Sequence, residues 1–204
     1  HDEFLKHIDI QPENVHIPDG TIPESEVSEY CANFDKSIRK IDLMIIGFGE
    51  QGQVGFNEQG SYAKSHTRLV ELSHNSRKVQ SSQFFGLENT PKMGITMGIG
   101  TIMRADRIVL MAWGEEKATA VQQVVEGDIT DKVPASHLQE HANIELVIDE
   151  SAAENLTRVQ TPWLVGPCEW TPKFVRKAVV WLCGIVNKPI LKLTYKDYIE
   201  NSLG

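Results

Sequence analysis

Four uninterrupted apolar residues, Leu43, Met44, Ile45 and Ile46, stop at Gly47 and Gly49. A continuous apolar run closed by glycines marks a strand covered on both faces, and such strands belong to largely parallel sheets with helices above and below. The flanking sequence fits that demand. Residues 25–40 place Val27, Tyr30, Cys31, Phe34 and Ile38 on one helical face, with Ser25 able to cap and acids in the first turn. Further strands are predicted at 67–72, 94–96, 107–112 and 144–148, with helices at 76–85, 100–105, 117–126 and 134–141. Strands alternating with helices define an α/β chain of the doubly wound kind.

Past Asp149 the texture changes to a Pro- and Trp-bearing stretch, then a helix over 172–186 opened by Pro172, then a last helix over 196–203. We therefore expect an α/β domain over residues 1–150 and a helical carboxy-terminal extension over 151–204, packed on the domain or leading to another. Phe4, Leu5 and Ile8 have the spacing of a helical stripe already under way, and the chain starts without Met. That pattern predicts a piece cut from something longer.

Composition removes several function classes. With 20 Lys plus Arg against 28 Asp plus Glu, the formal charge is −8, the wrong sign for binding nucleic-acid phosphates. No apolar stretch approaches the ~18 residues of a membrane span, and the charged first residues are unlike a signal peptide. Three cysteines, Cys31, Cys168 and Cys183, are an odd number without zinc-ligand spacing. They read as reduced thiols in a cytoplasmic protein.

Three motifs propose chemistry. Gly47, Gly49 and Gly52 form a literal G-x-G-x-x-G after a strand, with Glu71 about 20 residues on. Dinucleotide binding also needs a helix starting at the third glycine, and residues 53–65 carry Gly55, Asn57 and Gly60 with no apolar stripe. This segment is a loop, rich in amides and acids suited to hydroxyl-bearing ligands. His137 to His141 spell H-x-x-E-H, which on an α-helix sets two imidazoles one turn apart for zinc. A third ligand is missing from the sequence, and histidines favouring a helix carboxyl end are the simpler reading. Trp163, Trp170, Phe174 and Trp181 gather near Lys173, Arg176 and Lys177. They would suit a stacked nucleotide or sugar, but Val175, Val179, Leu182 and Val186 form an apolar stripe that favours packing.

Residues 47–61 resemble the active-site signature of glucosamine-6-phosphate deaminases, also called isomerases, a variant of G-x-G-x-D-G-H-I-x-F-N-E-P. The likeness continues through Ser65-His66-Thr67-Arg68-Leu69, Met97 to Ile102, Gly114 to Ala118, Val125-Glu126-Gly127 and Pro134-Ala135-Ser136. It covers residues 4–149. The resemblance implies a three-layer Rossmann-like fold and an aldose-ketose isomerisation with loss of ammonia, without metal or redox cofactor. Its implied partner is a small sugar phosphate, with no nucleic acid or membrane; a homo-oligomer stays open.

By the resemblance, Glu58 stands where the family's ring-opening glutamate does, and Lys117 where a lysine holds the substrate phosphate. Gly52 and Asn57 fall in the substrate-binding loop. Gln53 replaces the catalytic histidine and Gln51 the aspartate before it, and a glutamine amide does not titrate near neutral pH. Gln83 stands where a phosphate-binding arginine is expected, beside Phe84 and Phe85. Arg68 matches an allosteric arginine of some members, but its companion lysine is Val70, so that site is not carried over. The family's first phosphate loop and C2 base lie upstream of residue 1, so this chain by itself is expected to be inert. Two readings follow: a deaminase/isomerase-like protein of impaired catalysis, and a non-catalytic sugar-phosphate-binding or scaffolding domain. Thr161 to Lys177 is similar to longer bacterial proteins in which a deacetylase-like domain follows. The related 6-phosphogluconolactonases fit less well, since their loop lacks the F-N-E segment of Phe56 to Glu58.

Overall fold

The structure, a computed structural model, describes residues 4–38 and 40–203. Leu5–His7 forms a single 3-10 turn with no buried residue, and Phe4 is 65% exposed. The predicted helical stripe is therefore reduced to this one turn, with Leu5 only half-buried. Helix α1, Glu24–Ser37, starts one residue earlier than expected, after Pro23, so Ser25 lies inside its first turn and does not cap. Glu24 and Glu26 near its amino end and Lys36 near its carboxyl end all suit the helix dipole.

Strand β1, Met44–Gly47, is the apolar run from which the fold was read. After a long loop comes β2, Arg68–Glu71, and helix α2, His74–Gln80, capped by Ser73, whose hydroxyl accepts the Ser76 amide at 3.2 Å. A 3-10 turn, Ser81–Phe84, ends the helical stretch, and Phe85 follows in the left-handed region. Strand β3, Met93–Thr96, pairs antiparallel with β2, so this pair forms a separate ribbon and does not extend the parallel sheet. Short α3, Ile99–Ile102, leads to β4, Ile108–Ala112. A 3-10 turn, Glu115–Lys117, then opens α4, Ala118–Val125. Strand β5, Ile144–Ile148, completes a parallel sheet of order β1-β4-β5. The α/β class with a Rossmann-like parallel sheet stands as read from the sequence.

Register explains where the core sits. Met44, Ile108 and Ile144 align across the sheet, as do Ile46, Leu110 and Leu146. Side chains alternate along a strand, so these two rows share one face. That face packs against Ile99 and Ile102 of α3, Val121 and Val124 of α4, and Ala135 and Leu138. On the opposite face Ile45 is 63% exposed.

The segment predicted as a helix over 134–141 is a 3-10 helix, Pro134–Glu140. At three residues per turn, positions four apart no longer align. His137 Nε2 meets the Asp131 carboxylate at 2.7 Å and His141 Nε2 meets the Ala105 carbonyl at 2.7 Å, so each ring serves its own local contact. No group of three or more His, Cys, Asp or Glu side chains able to hold a metal occurs among the described residues. None of the described helices is long and apolar enough to cross a membrane.

Beyond β5, Ala152 is fully buried in the same core and Leu156 packs against it. Glu126 at the end of α4 accepts both the Thr157 amide, at 2.9 Å, and its hydroxyl, at 2.8 Å. The remaining helices are α5, Thr157–Gln160, α6, Pro172–Val186, and α7, Tyr195–Glu200. The α6 bounds are those predicted, since Pro172 sits at its first turn, Thr171 caps it and Asn187 ends it in the left-handed region. Its buried residues, however, are Ala178 and Leu182, while Val175 is 46% exposed. The aromatic rings around Trp163 set the orientation of this helix, which the stripe of valines alone does not.

Candidate functional site

The loop after β1 is held by its own backbone. The Gly49 amide donates to the Gln53 carbonyl at 2.8 Å, and the Ala135 amide to the Gly52 carbonyl at 2.8 Å. Val54 is fully buried. Gly52 has φ +72°, where side chains are rarely tolerated, and a β-carbon there would run into Val133. The G-x-G-x-x-G glycines thus serve a compact loop and begin no helix.

This loop forms one wall of a cleft of ≈290 Å³ at the carboxyl ends of β1 and β4. Open α/β sheets place ligands in that position, and the volume sits at the small end of ordinary ligand sites. Gln53, Glu50 and Phe56 come from the loop, Asn75, Ser76 and Gln80 from α2, and Lys117 from the turn before α4. The Lys117 ammonium donates to the Phe48 carbonyl at 3.3 Å, which ties it to the loop's first residue. Gln53 Oε1 accepts the Gln51 amide at 3.1 Å. Lys117 and Gln53, 64 positions apart in sequence, therefore look into one space.

Other predicted site residues lie elsewhere. Glu58 is not among the cleft-lining residues; its two carboxylate oxygens accept the Ser73 amide at 3.1 and 3.3 Å. It braces the start of α2, which forms the facing wall. Asn57 is fully buried, with its amide group donating to the carbonyls of Val54, at 2.9 Å, and Met97, at 2.7 Å. Its oxygen accepts from Arg68 at 2.9 Å. A side chain with all three partners inside the protein holds the loop to β3's end. Gln51 and Gly52 do not line the cleft, and Gln83 is exposed in the turn after α2.

The sequence reading missed Asn75, Ser76 and Gln80. Ser73 followed three positions later by Ser76 was the signal available, since a cap there starts the helix early enough to bring Asn75 onto the cleft wall. It also missed Asp35, buried on α1, which accepts the Thr67 amide at 3.2 Å and the Thr101 hydroxyl at 3.0 Å. Burial pushes the Asp35 carboxyl up, but the Thr67 and Thr101 hydrogen bonds and the Arg104 charge outweigh it and leave the group below its ordinary value. Burial likewise pushes the Arg68 guanidinium down.

Fold and cleft together define a Rossmann-like α/β domain with a polar, lysine-bearing pocket at the strand ends. The chain belongs to the family of glucosamine-6-phosphate isomerases and 6-phosphogluconolactonases, whose pattern it matches over residues 1–148. A glucosamine-6-phosphate deaminase-like protein of Bacteroides thetaiotaomicron, itself a putative assignment in name, is 49% identical over 98% of this chain and 31% of its own length. Glucosamine-6-phosphate deaminase 2 of Bacillus subtilis is 41% identical over 76% of this chain and 64% of its own. Among solved structures, a monomeric glucosamine-6-phosphate deaminase superposes with TM-score 0.72 at 34% identity, over 76% of this chain and 64% of that one. The 6-phosphogluconolactonase of Trypanosoma cruzi, with TM-score 0.51 and 20% identity over 68% of this chain and 56% of that one, shares the fold. The chain spans less than two thirds of the length of each of these relatives.

Proposed function

We propose that this chain supplies a binding site for glucosamine 6-phosphate in an amino-sugar-processing protein, with the proton-transfer part of the family's chemistry impaired. The observation that carries this reading is the pairing of Lys117 with Gln53 in one cleft. An ammonium is the natural partner of a sugar phosphate, and amides from Gln53, Asn75 and Gln80 offer donors and acceptors to hydroxyls. Isomerisation from aldose to ketose with release of ammonia needs groups that take and return protons, and Gln53 does neither. Glu58, engaged with the Ser73 amide, holds α2 in place as the facing wall of the cleft. Gln51 acts through its backbone amide, which fixes the Gln53 side chain.

Titration calorimetry of the chain with glucosamine 6-phosphate tests this. Binding is expected, and Lys117→Met should weaken it about 10- to 100-fold, the worth of one charge-assisted hydrogen bond. Ammonia release should be undetectable in the same preparation. Absence of binding, or binding indifferent to Lys117→Met, would overturn the assignment of the phosphate site. Ammonia release abolished by Glu58→Gln with the affinity for glucosamine 6-phosphate unchanged would overturn the impaired-catalysis reading and restore Glu58 as a proton-transfer group.

A further inference from the structure

The cleft lysine hangs on one turn. Lys117 ends the 3-10 turn Glu115–Lys117, which its own amide closes by donating to the Gly114 carbonyl at 3.0 Å. Gly114 has φ +92°, a backbone conformation that side chains rarely adopt, so the turn starts from the residue with the widest conformational freedom. Something outside the turn must therefore hold it. The Asp149 carboxylate does so, accepting the Gly114 amide at 3.1 and 3.3 Å through its two oxygens. Hydrogen bonds to an ionised acceptor are the stronger kind.

Asp149 is itself fixed. It follows β5, and its Oδ1 also accepts the amide of Ala152, at 2.9 Å, a residue fully buried in the core. The same stretch continues along α4, where Asn155 Nδ2 donates to the Thr119 hydroxyl at 3.4 Å and the Thr157 amide donates to Glu126 at 2.9 Å. Residues 149–157 thus grip the turn before α4, its first turn and the residue after its end, and Lys117 lies between the first two grips. Asp149 is not among the cleft-lining residues, so any effect it has on a ligand there passes through Gly114.

We propose that Asp149 is a positioning residue for this site: by holding Gly114 it sets the turn from which the Lys117 ammonium reaches the cleft. The inference rests on the reading of Lys117 as the phosphate ligand. Calorimetric titration of the full chain with glucosamine 6-phosphate tests it as a double-mutant cycle. Asp149→Ala should weaken binding about 10-fold, by acting on the same contact that Lys117→Met removes. Asp149→Asn should recover most of that loss, since Oδ1 by itself can accept both amides. With Lys117→Met already in place, Asp149→Ala should weaken binding by less than about 2-fold more. Linkage demands the converse effect, readable without any change at position 149. Saturating glucosamine 6-phosphate should slow hydrogen exchange of the Gly114 amide more than that of the Thr67 amide, which Asp35 holds outside the cleft. Binding that depends on Lys117 but is indifferent to Asp149→Ala, or is weakened equally by it with and without Lys117, would overturn the proposal and leave the phosphate site standing. Equal slowing at Gly114 and Thr67 would overturn it even where Asp149→Ala fails to fold. Absence of binding would remove the phosphate site and this inference together.

Discussion

Asn57 gives the sharpest test of what the loop after β1 is for. By resemblance its amide faces substrate, yet the structure buries it completely and assigns it two carbonyls and a guanidinium. Asn57→Ala removes three hydrogen bonds at once. A typical bond contributes about 1 kcal/mol net, and a buried partner left unsatisfied costs about 1–3 kcal/mol. Relaxation of the loop lets some of these groups reach water, so the loss should be about 3–4 kcal/mol. For a chain of this size that lowers the melting temperature by about 6–16 °C. Urea unfolding followed by circular dichroism should show the midpoint falling with little change in slope. The affinity for glucosamine 6-phosphate, measured well below the melting temperature, should change by less than about 3-fold, far short of the tenfold per 1.4 kcal/mol that a lost contact would produce. A variant of unaltered stability whose affinity collapses would refute the reasoning and return Asn57 to the substrate.

Two further outcomes follow from the structure. Gly52→Ala must place a side chain at φ +72° and against Val133, so it should destabilise by at least ~1–2 kcal/mol, read by the same urea titration. The Lys188 ammonium at 2.6 Å, with the Thr194 amide and hydroxyl, holds the Asp197 carboxyl down to about 2, below its value in an unfolded chain. Because the folded value is the lower one, its contribution is complete above about pH 4 and is lost as pH falls toward 2. The indole resonance of Trp170, which shares a groove with Tyr198 of α7, should report loosening of that helix in this window. Asp197→Asn should show the loosened state at neutral pH and no further change on acidification.

Residues 43–46 were legible as a strand because a short apolar run stopped by glycines marks one, although the burial on both faces that the run implied is absent, with Leu43 and Ile45 exposed; Pro172–Val186 was legible because caps act within a few residues of the helix they end. The resemblance set the loop of Gly47 to Ser61 and Lys117 against one crevice, with Glu58 as the carboxylate facing Lys117; the loop does reach that cleft through Gln53, but Glu58 instead meets the Ser73 amide. The pairing of β2 with β3 was not legible, since an apolar segment of that length fits a parallel sheet or an antiparallel ribbon equally well. Nor was the 3-10 form of Pro134–Glu140, where packing of Leu138 and Ala135 into the core outweighs helix propensity.

What the amino-acid order determined by itself is therefore local: which segments become strands and helices, where glycine permits the loop to turn, and that no titrating group stands at position 53. Tertiary structure decided which way polar side chains face. Asn57, Glu58 and Asp35 are each competent to bind a ligand, and each is instead consumed by backbone or side-chain partners drawn from distant segments. The physical reason is that a buried polar group must find its hydrogen bonds among whatever the fold brings near, and sequence spacing carries no record of those neighbours.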